Sequence, residues 1–387
     1  MPEHSIAVIG GGASGITAAI SAKRAGKSCI ILEKGERLGK KILASGNGRC
    51  NLLNEKLDDS FYNQSSRPLV KAVFAKFGKP EIIDFFKSLG LFLHSEEGRI
   101  FPATNQSASV LSVLERELKK FSVPAEFNFD AVSIIEEDGG FLVSSESGVK
   151  ISCQKIILTG GGKSYPALGS DGSAYKLAQN FGHSIIEPVP TAVPLTVKDP
   201  MLHFVQGQRI EAAVRAIIDG KAACGANGDL LFTKYGLSGA AIMDISEEIS
   251  VAINRNREKD VEVAVDLAPF MKEAELEKEL SQRKARGIED DNMLTGILPN
   301  KFCRVIKTPD ARGLKDRRFK VLGTRGWNEA EFTAGGIDVK EVKEESLESK
   351  LKKGLYFAGE ILDVDGRRGG YNLAWAWASG FVAGLTG

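Results

Sequence analysis

Paired cysteines, a sizeable net charge and long apolar runs are all missing from this sequence. The five cysteines (Cys29, Cys50, Cys153, Cys224, Cys303) are scattered, with no CxxC and no even framework. That pattern excludes a disulfide scaffold and a cysteine zinc site, and it fits a reducing compartment. The four histidines (His4, His94, His183, His203) share no ligand spacing, so no metal is expected. Lys plus Arg, 51, against Asp plus Glu, 50, leaves a formal charge of +1. Such a chain has no overall field for tracking a phosphate backbone or an anionic membrane, so neither is expected as a partner. No window approaches about 18 uninterrupted apolar residues, and the opening apolar run breaks at Gly10 with no basic leader before it. A soluble cytoplasmic protein with a small-molecule substrate is the expectation.

Glycine is what the chain has in excess. Its 42 glycines compare with roughly 27 at about 7% usage, and they fall in clusters. Clustered glycine marks backbone pressed close to a ligand. The 387 residues predict two or three domains, at about 150 residues each.

Ser5 to Ile9 is a short apolar run, Gly15 to Ala25 an Ala-rich helical stretch, and Ser28 to Leu32 a second buried strand. Together they read as a parallel β-α-β unit with a right-handed crossover. Amphipathic helices are predicted at Pro68 to Phe77, Pro80 to Leu89 and Ser107 to Phe121, and a β-meander at Ala131 to Ile135, Phe141 to Ser145 and Val149 to Leu158. A further helix is read over Ser173 to Phe181. The prolines at 188, 190 and 194 disfavour helix and suit a linker, so a boundary is placed near residue 190. Thr191 to Val265 reads mostly as strand, with Ala212 to Ile218 and Ile249 to Ile253 as examples. Met271 to Arg286 and Leu294 to Val305 read as helices, Gly354 to Gly359 as a strand, and Tyr371 to Gly384 as a closing helix.

Gly10-Gly11-Gly12-Ala13-Ser14-Gly15 contains G-x-G-x-x-G directly after a strand and at the start of a helix, the context that gives this pattern meaning. Gly10 permits the tight turn, Gly12 leaves room for a pyrophosphate, and Gly15 lets helix and strand pack closely. The anion then meets free N–H groups at the positive helix end, with Ala13 and Ser14 among them. Glu33, at the end of the second strand, can accept both hydroxyls of an adenosine ribose and would repel a 2′-phosphate. An ADP-containing cofactor follows, and this motif alone does not separate NAD from FAD.

Gly39 to Asn51 forms a second glycine-bearing loop, rich in donors and able to run along the rest of a long cofactor. Leu355 to Glu360 is a strand ending in Gly359 and an acid that could accept from a ribityl hydroxyl. The segment Asp363 to Asn372 opens into the closing helix, whose N-terminus can stabilise negative charge on a reduced flavin by about 0.3–1 kcal/mol. Trp375 and Trp377 are read as packing residues. Cys50 lacks the partner that a redox dithiol needs, and Arg49 is read either as a phosphate or flavin contact or as a structural ion pair. His203 is read as a partly buried polar residue. No second G-x-G-x-x-G follows a later strand, so a separate nicotinamide domain is not expected.

The sequence resembles the BaiN/RdsA-type bacterial flavoproteins, NAD(P)/FAD-dependent oxidoreductases that include aminoacetone oxidase-like enzymes. The resemblance covers nearly the whole chain. It rests on the N-terminal fingerprint, Ser45 to Asn51 (S-G-N-G-R-C-N), Gly161 to Gly172, Leu231 to Gly239, Phe332 to Ile337 and Gly354 to Gly380. It implies an α/β fold: a glutathione-reductase-like FAD-binding Rossmann domain, formed by residues 1–190 and 336–387. An inserted β-rich substrate domain over 191–335 would carry a small helical subdomain at about 269–322. It also implies FAD contacts at Gly10, Gly12, Ala13, Ser14, Gly15, Glu33, Lys34, Lys41, Ser45, Gly46, Asn47, Arg49, Cys50, Asn51 and Val132. Further contacts are implied at Thr159, Gly160, Gly161, Gly359, Glu360, Gly370, Tyr371, Asn372 and Leu373. Lys234 and Tyr235 are candidate substrate-side residues on the insert. Many relatives carry His at 234, Pro at 240, Gly at 47 and Thr at 53, where this chain has Lys, Ala, Asn and Leu.

The expected activity is FAD-dependent hydride transfer through flavin N5, with NADH or NADPH as a transient donor reducing an activated double bond of a small apolar molecule. The alternatives are an oxidase that takes hydride from a small amine such as aminoacetone and makes hydrogen peroxide, and a flavin-binding sensor or scaffold. Oligomeric state is left open.

Overall fold

The computed structural model describes residues 3–137 and 139–387. Its contacts divide the chain into two units: unit 1 is Met1–Pro188 with Phe332–Gly387, and unit 2 is Val189–Glu331.

Unit 1 is built on a twisted sheet whose centre is the opening strand His4–Ile9. This strand is flanked in parallel by the second strand Cys29–Leu32, paired Ile6 to Cys29, and by the long strand Lys150–Leu158, paired Ile6 to Lys155. Cys29–Leu32 and the last three residues of the long strand, Ile156 to Leu158, run apolar without alternation, as strand segments covered on both faces must. The long strand has two different partners along its length. Its first half pairs antiparallel with Gly140–Ser145 of the meander, and its last three residues pair parallel with the closing strand Leu355–Phe357. The C-terminal part of the chain thus completes the sheet that the N-terminal part begins.

The opening helix Ala13–Arg24 and the closing helix Tyr371–Thr386 lie against each other on this sheet. Their separation is set by glycine. A Cβ on Gly380 would lie 2.3 Å from the Ser14 carbonyl oxygen, and one on Gly384 2.1 Å from that of Ala18. Small residues four apart on one helix therefore let the two backbones touch. Ser21 Oγ donates to the Phe381 carbonyl at 2.7 Å across the same seam. Trp375 and Trp377 are buried, and their indole N–H groups donate to Gly359 O and Leu52 O, the packing role expected of them.

Unit 2 is a closed six-stranded barrel of Leu195–Val197, Gly236–Ser238, Lys221–Thr233, Arg209–Ile218, Val261–Asp266 and Arg317–Thr324. Closure leaves no sheet edge exposed. Phe232 and Phe319 fill its core with Phe302. The helices Glu273–Ala285, Asn300–Cys303 and Ala311–Lys315 occupy the stretch between the last two strands.

Three sequence expectations are corrected. Ile249 to Ile253 is not a strand: it ends the helix Ala240–Ser250 and continues as a wide turn over Val251–Arg255. Ile242, Ile245 and Ile249 recur at helical spacing and are buried, so the short apolar run belonged to a longer period than two. Leu294 to Val305 is not one helix, because Gly296 and Pro299 break it and only Asn300–Cys303 is helical. Glu187 to Pro190 is not an irregular linker but part of the strand Ile185–Thr191. Proline is tolerated there because the sheet has two strands, each of them an edge.

Candidate functional site

The turn after the opening strand is shaped by what its glycines touch. A Cβ on Gly10 would lie 2.6 Å from the Thr159 carbonyl oxygen, and one on Gly15 only 1.9 Å from Gly10 O, whereas one on Gly12 would meet nothing within 4 Å. Two of the three glycines are thus forced by packing, and the third faces open space. The opening helix begins at Ala13 with no acidic residue in its first turn, so its free N–H groups form an unopposed positive end. Gly359 meets this helix start: a Cβ there would lie 2.5 Å from Ser14 Oγ.

Glu33 closes the far side of the turn. Its two oxygens accept from Gly11 N–H at 2.6 Å and Gly35 N–H at 2.7 Å. Lys34 sits between Asp171 at 2.7 Å and Asp130 at 2.9 Å. Partial burial opposes the lysine's charge, and the two carboxylates outweigh it, raising its pKa. Asp171 is lowered in turn: burial works against it, and the Lys34 hydrogen bond prevails. Val132 stands nearby in sequence at a β-bulge, passed over between the pairs Ala131 to Ser145 and Ser133 to Ser144, with its side chain exposed.

A second cluster forms around Glu360. Lys41 Nζ bonds Glu360 Oε2 at 2.7 Å and Ser164 Oγ at 2.6 Å, and Thr333 N–H donates to Glu360 Oε1 at 3.0 Å. Thr333 Oγ1 accepts from the backbone N–H groups of Lys163 and Ser164. The turn Thr159 to Gly161 leads into this cluster, and Thr159 Oγ1 donates to Ile9 O and Gly10 O, both at 2.8 Å. Beside it, Ser170 Oγ and Tyr175 OH are buried with no hydrogen-bond partner. Burial raises the Tyr175 hydroxyl's pKa, as do the charges of Glu360 and Asp363.

The loop Ser45 to Asn51 has a backbone to match its composition. Ser45 Oγ donates to Ile42 O at 2.7 Å. Gly46 and Asn47 are both left-handed, at φ 56° and 55°, a region in which asparagine is the side chain best tolerated after glycine. That is how Asn47 takes a conformation that otherwise favours glycine. Cys50 is left-handed as well and fully buried. Burial pushes its thiol up to about 12, against a hydrogen bond with Ser45, the opposite of the lowered value that activates a thiolate. Arg49 turns outward, bonding Glu96 at 2.6 Å and stacking 4.1 Å over the Phe101 ring. This is the ion-pair alternative.

Asn51 Oδ1 is buried without a partner, 2.8 Å from where a Cβ on Gly370 would stand. Each such orphaned atom costs about 1–3 kcal/mol if nothing fills the gap. Gly370 precedes the closing helix, whose first turn also has no acid. Tyr371 stacks on Phe61 at 4.6 Å. Asn372 makes a two-point clamp on Gly366, at 2.8 Å to its N–H and 2.6 Å to its carbonyl, and Asn63 does the same for Asp363 O and Asp365 N. Leu373 packs against the core.

Lys234 and Tyr235 lie in unit 2, at the turn after Lys221–Thr233. Lys234 is exposed, and the Tyr235 ring lies 4.6 Å beneath Arg325, which pairs with Glu329. His203 is exposed and not partly buried as expected. Sequence reasoning singled out none of Asn63, Ser164, Asp171, Tyr175 and Thr333. Four of these five fall in motifs quoted for the family resemblance or just past one, yet the partners of Ser164, Asp171 and Thr333 are distant in sequence and Tyr175 OH has none, so no local spacing marked them. Among the described residues no group of three His, Cys, Asp or Glu side chains is arranged to hold a metal ion, and no helix is long and apolar enough to cross a membrane.

Unit 1 thus gathers an open helix N-terminus, a carboxylate at the adjoining strand end, a Lys41–Glu360 pair, an orphaned amide oxygen and a second open helix N-terminus. This donor set fits an extended dinucleotide: anion-binding ends for phosphates, acceptors for sugar hydroxyls, and space at Gly12. The family model described as the HI0933-like protein Rossmann domain matches residues 4–386. The chain is 37% identical to the 3-dehydro-bile acid delta(4,6)-reductase of Clostridium scindens, covering 98% of each. It is 29% identical to the ribosomal RNA dihydrouridine synthase of Escherichia coli, covering 99% of this chain and 97% of that one. The 3-ketosteroid delta1-dehydrogenase of Sterolibacterium denitrificans shares its fold at a TM-score of 0.51 and 12% identity, covering 98% of both chains. The chain belongs to the HI0933-like, BaiN/RdsA-type family of FAD-dependent oxidoreductases.

Proposed function

We propose that the protein reduces a carbon–carbon double bond conjugated to a carbonyl in a small, largely apolar molecule, with NADH or NADPH as transient hydride donor. The observation that carries this reading is the near-full-length similarity to a 3-dehydro-bile acid delta(4,6)-reductase, whose name describes an unsaturation beside a ketone. The other relative's name points the same way, since making dihydrouridine saturates a ring bond next to a carbonyl. FAD supplies the redox chemistry when bound, and the protein supplies orientation and electrostatics.

In this reading Gly12, Ala13, Ser14 and the opening helix end hold the pyrophosphate, with Gly10 and Gly15 shaping the turn. Glu33 exchanges its Gly11 contact for the adenosine ribose, with Lys34, Val132 and the Thr159-Gly160-Gly161 turn around the nucleotide half. Lys41, Glu360 and Gly359 line the ribityl path. Ser45 to Asn51 and Gly370 to Leu373 surround the ring, where the closing helix end stabilises negative charge by about 0.3–1 kcal/mol. Arg49 and Cys50 act here by holding the loop's shape. Lys234 and Tyr235 are candidates for the substrate side.

A second reading, a uracil base within RNA as substrate, is favoured by the full-length RNA-modifying relative, and a near-neutral overall charge does not decide against it. The test is anaerobic addition of NADH or NADPH followed by a panel of a conjugated enone steroid, a uridine-containing RNA and aminoacetone. Loss of the flavin's visible absorption with a nicotinamide donor, restored by the steroid, supports the proposal. Restoration by RNA alone selects the second reading. No loss with either donor, together with peroxide formed from aminoacetone, refutes both in favour of an oxidase.

A further inference from the structure

Residues 163–173 run from the Thr159 to Gly162 turn to the helix Ala174–Gln179 with only a short turn at Pro166–Leu168 as regular structure. Four of the flanking and internal backbone positions, Gly161, Tyr165, Gly169 and Gly172, are left-handed. The root of this segment is tied to the first glycine turn through Thr159 Oγ1 and Gly10 O. Its far end is tied to the residue after Glu33, through Asp171 and Lys34 at 2.7 Å. The segment therefore spans the two features between which an ADP group would lie. Lys34 is itself braced by Asp130 at 2.9 Å, which lies on neither the strap nor the glycine turn.

A second observation concerns what lies beneath. Ser170 Oγ and Tyr175 OH are buried, at 7% and 6% exposure, and neither has a hydrogen-bond partner. Buried hydroxyls are rarely left unpaired in a finished structure. Polar atoms of a bound ligand, or water ordered by it, would complete them.

We propose that residues 163–173 form a strap across the nucleotide half of the cofactor site, latched by Lys34 between Asp171 and Asp130, and that opening this latch sets the rate at which FAD leaves. The inference rests on the FAD placement proposed above. Lys163 and Ser164 stay anchored by Thr333 and Lys41 at the near end, so opening lifts the far end, where the Lys34–Asp171 contact breaks and the left-handed Gly169 and Gly172 absorb the backbone change. The three charged side chains are each about one third exposed, so the latch is strong enough to slow release yet remains sensitive to salt.

The experiment measures FAD release from the holoprotein by the recovery of its fluorescence, for wild type, K34M, D171N and the K34M/D171N pair. Each single variant is expected to release FAD about fivefold faster at low ionic strength, and the pair no faster than either alone. The difference should vanish near 1 M salt, where the Debye length is about 3 Å. Y175F, which removes a hydroxyl without touching the latch, should also speed release, and its effect should persist at high salt. Wild-type release from D171N overturns the proposal, as does additivity of the two changes, which would mean that Lys34 holds the cofactor by itself. Wild-type protein that binds no FAD refutes the underlying placement instead. Equal thermal midpoints of the apo forms confirm that the variants fold.

Discussion

Gly12 and Gly15 stand three residues apart in one fingerprint, and the structure predicts opposite consequences for the same substitution at each. In Gly15→Ala the new methyl would sit 1.9 Å from Gly10 O and 2.8 Å from Thr159 Oγ1. Ordinary contact is near 3.5–4.0 Å, so the opening helix or the glycine turn must shift by more than an ångström. Such overpacking costs about 1–3 kcal/mol, partly offset by about 0.5–1 kcal/mol from replacing glycine in a helix. The apoprotein should therefore melt several degrees lower, at roughly 2–4 °C per kcal/mol for a domain of this size. In Gly12→Ala the methyl meets no protein atom, and the backbone at φ −81° and ψ −166° suits alanine. The apoprotein should melt within about 1 kcal/mol of wild type, since reduced unfolded-state freedom and a weaker helix cap nearly cancel. Yet the methyl occupies the space assigned to the pyrophosphate, so FAD affinity should fall about tenfold or more, by the same overpacking range. The assay is paired: thermal unfolding of stripped protein, and FAD titration by fluorescence quenching. Gly12→Ala with wild-type FAD affinity would refute the pyrophosphate placement, and Gly15→Ala with an unchanged apo midpoint would refute the packing account of the turn.

Other outcomes follow from the same geometry. Lys41→Met should weaken FAD binding about tenfold, because it strands the half-buried Glu360 carboxylate beside Ser164 and Thr333; titration of FAD into stripped protein checks it, and unchanged affinity removes Lys41 from the site. Cys50 should resist thiol reagents in the native protein at pH 8 and react on unfolding, since burial pushes its thiol up to about 12; rapid native labelling of Cys50, located by peptide mapping, would contradict this. Burial likewise raises Cys29 to about 11 and Cys153 to about 12 from a usual 9.0. Because these folded-state values exceed the unfolded ones, their contribution to stability is complete below pH 9 and is lost as pH rises toward 11–12; denaturant midpoints across that range should fall, and less steeply in a Cys29→Ala/Cys153→Ala variant. On the acid side, burial holds His183 below its usual 6.5. Stability should therefore decline as pH falls below 6.5, and a flat profile from pH 7 to 5 would argue against a neutral His183.

Local chemistry made half of this molecule legible. Glycines 10, 12 and 15 between an apolar run and an Ala-rich stretch can hardly be anything but a strand-to-helix turn, and the observed helix Ala13–Arg24 and strand Cys29–Leu32 lie within a residue or two of the reading. The place of Glu33 at the end of the second strand, against the glycine turn, was legible for the same reason, since it depends on distance along the chain from the first glycine. The helix Ser107–Lys120 and the meander strands were legible from periodicity and from their Gly-rich turns. Ile249 to Ile253 was not, because four apolar residues in a run of five suit a strand or a helix and only the wider spacing decides. Closure of the barrel depends on strands far apart in sequence, such as Leu195–Val197 against Arg317–Thr324, and no local pattern carries it. The ties of Asp171 to Lys34 and Thr333 to Ser164 span 137 and 169 residues, so only the fold could bring them into view.

The double partnership of the long strand Lys150–Leu158 fixes an order of events during synthesis. Its last three residues await Leu355–Phe357, and the opening helix awaits Gly380 and Gly384, all of which leave the ribosome after the whole of unit 2. The barrel, contiguous in sequence, can close while the nascent chain is still growing. The sheet of unit 1 must stay unfinished on one side until the closing helix emerges. Ribosome-stalled chains ending near residue 340 should consequently display a protease-resistant insert and an N-terminal half that is still digested, with FAD unable to bind until the last turn is released.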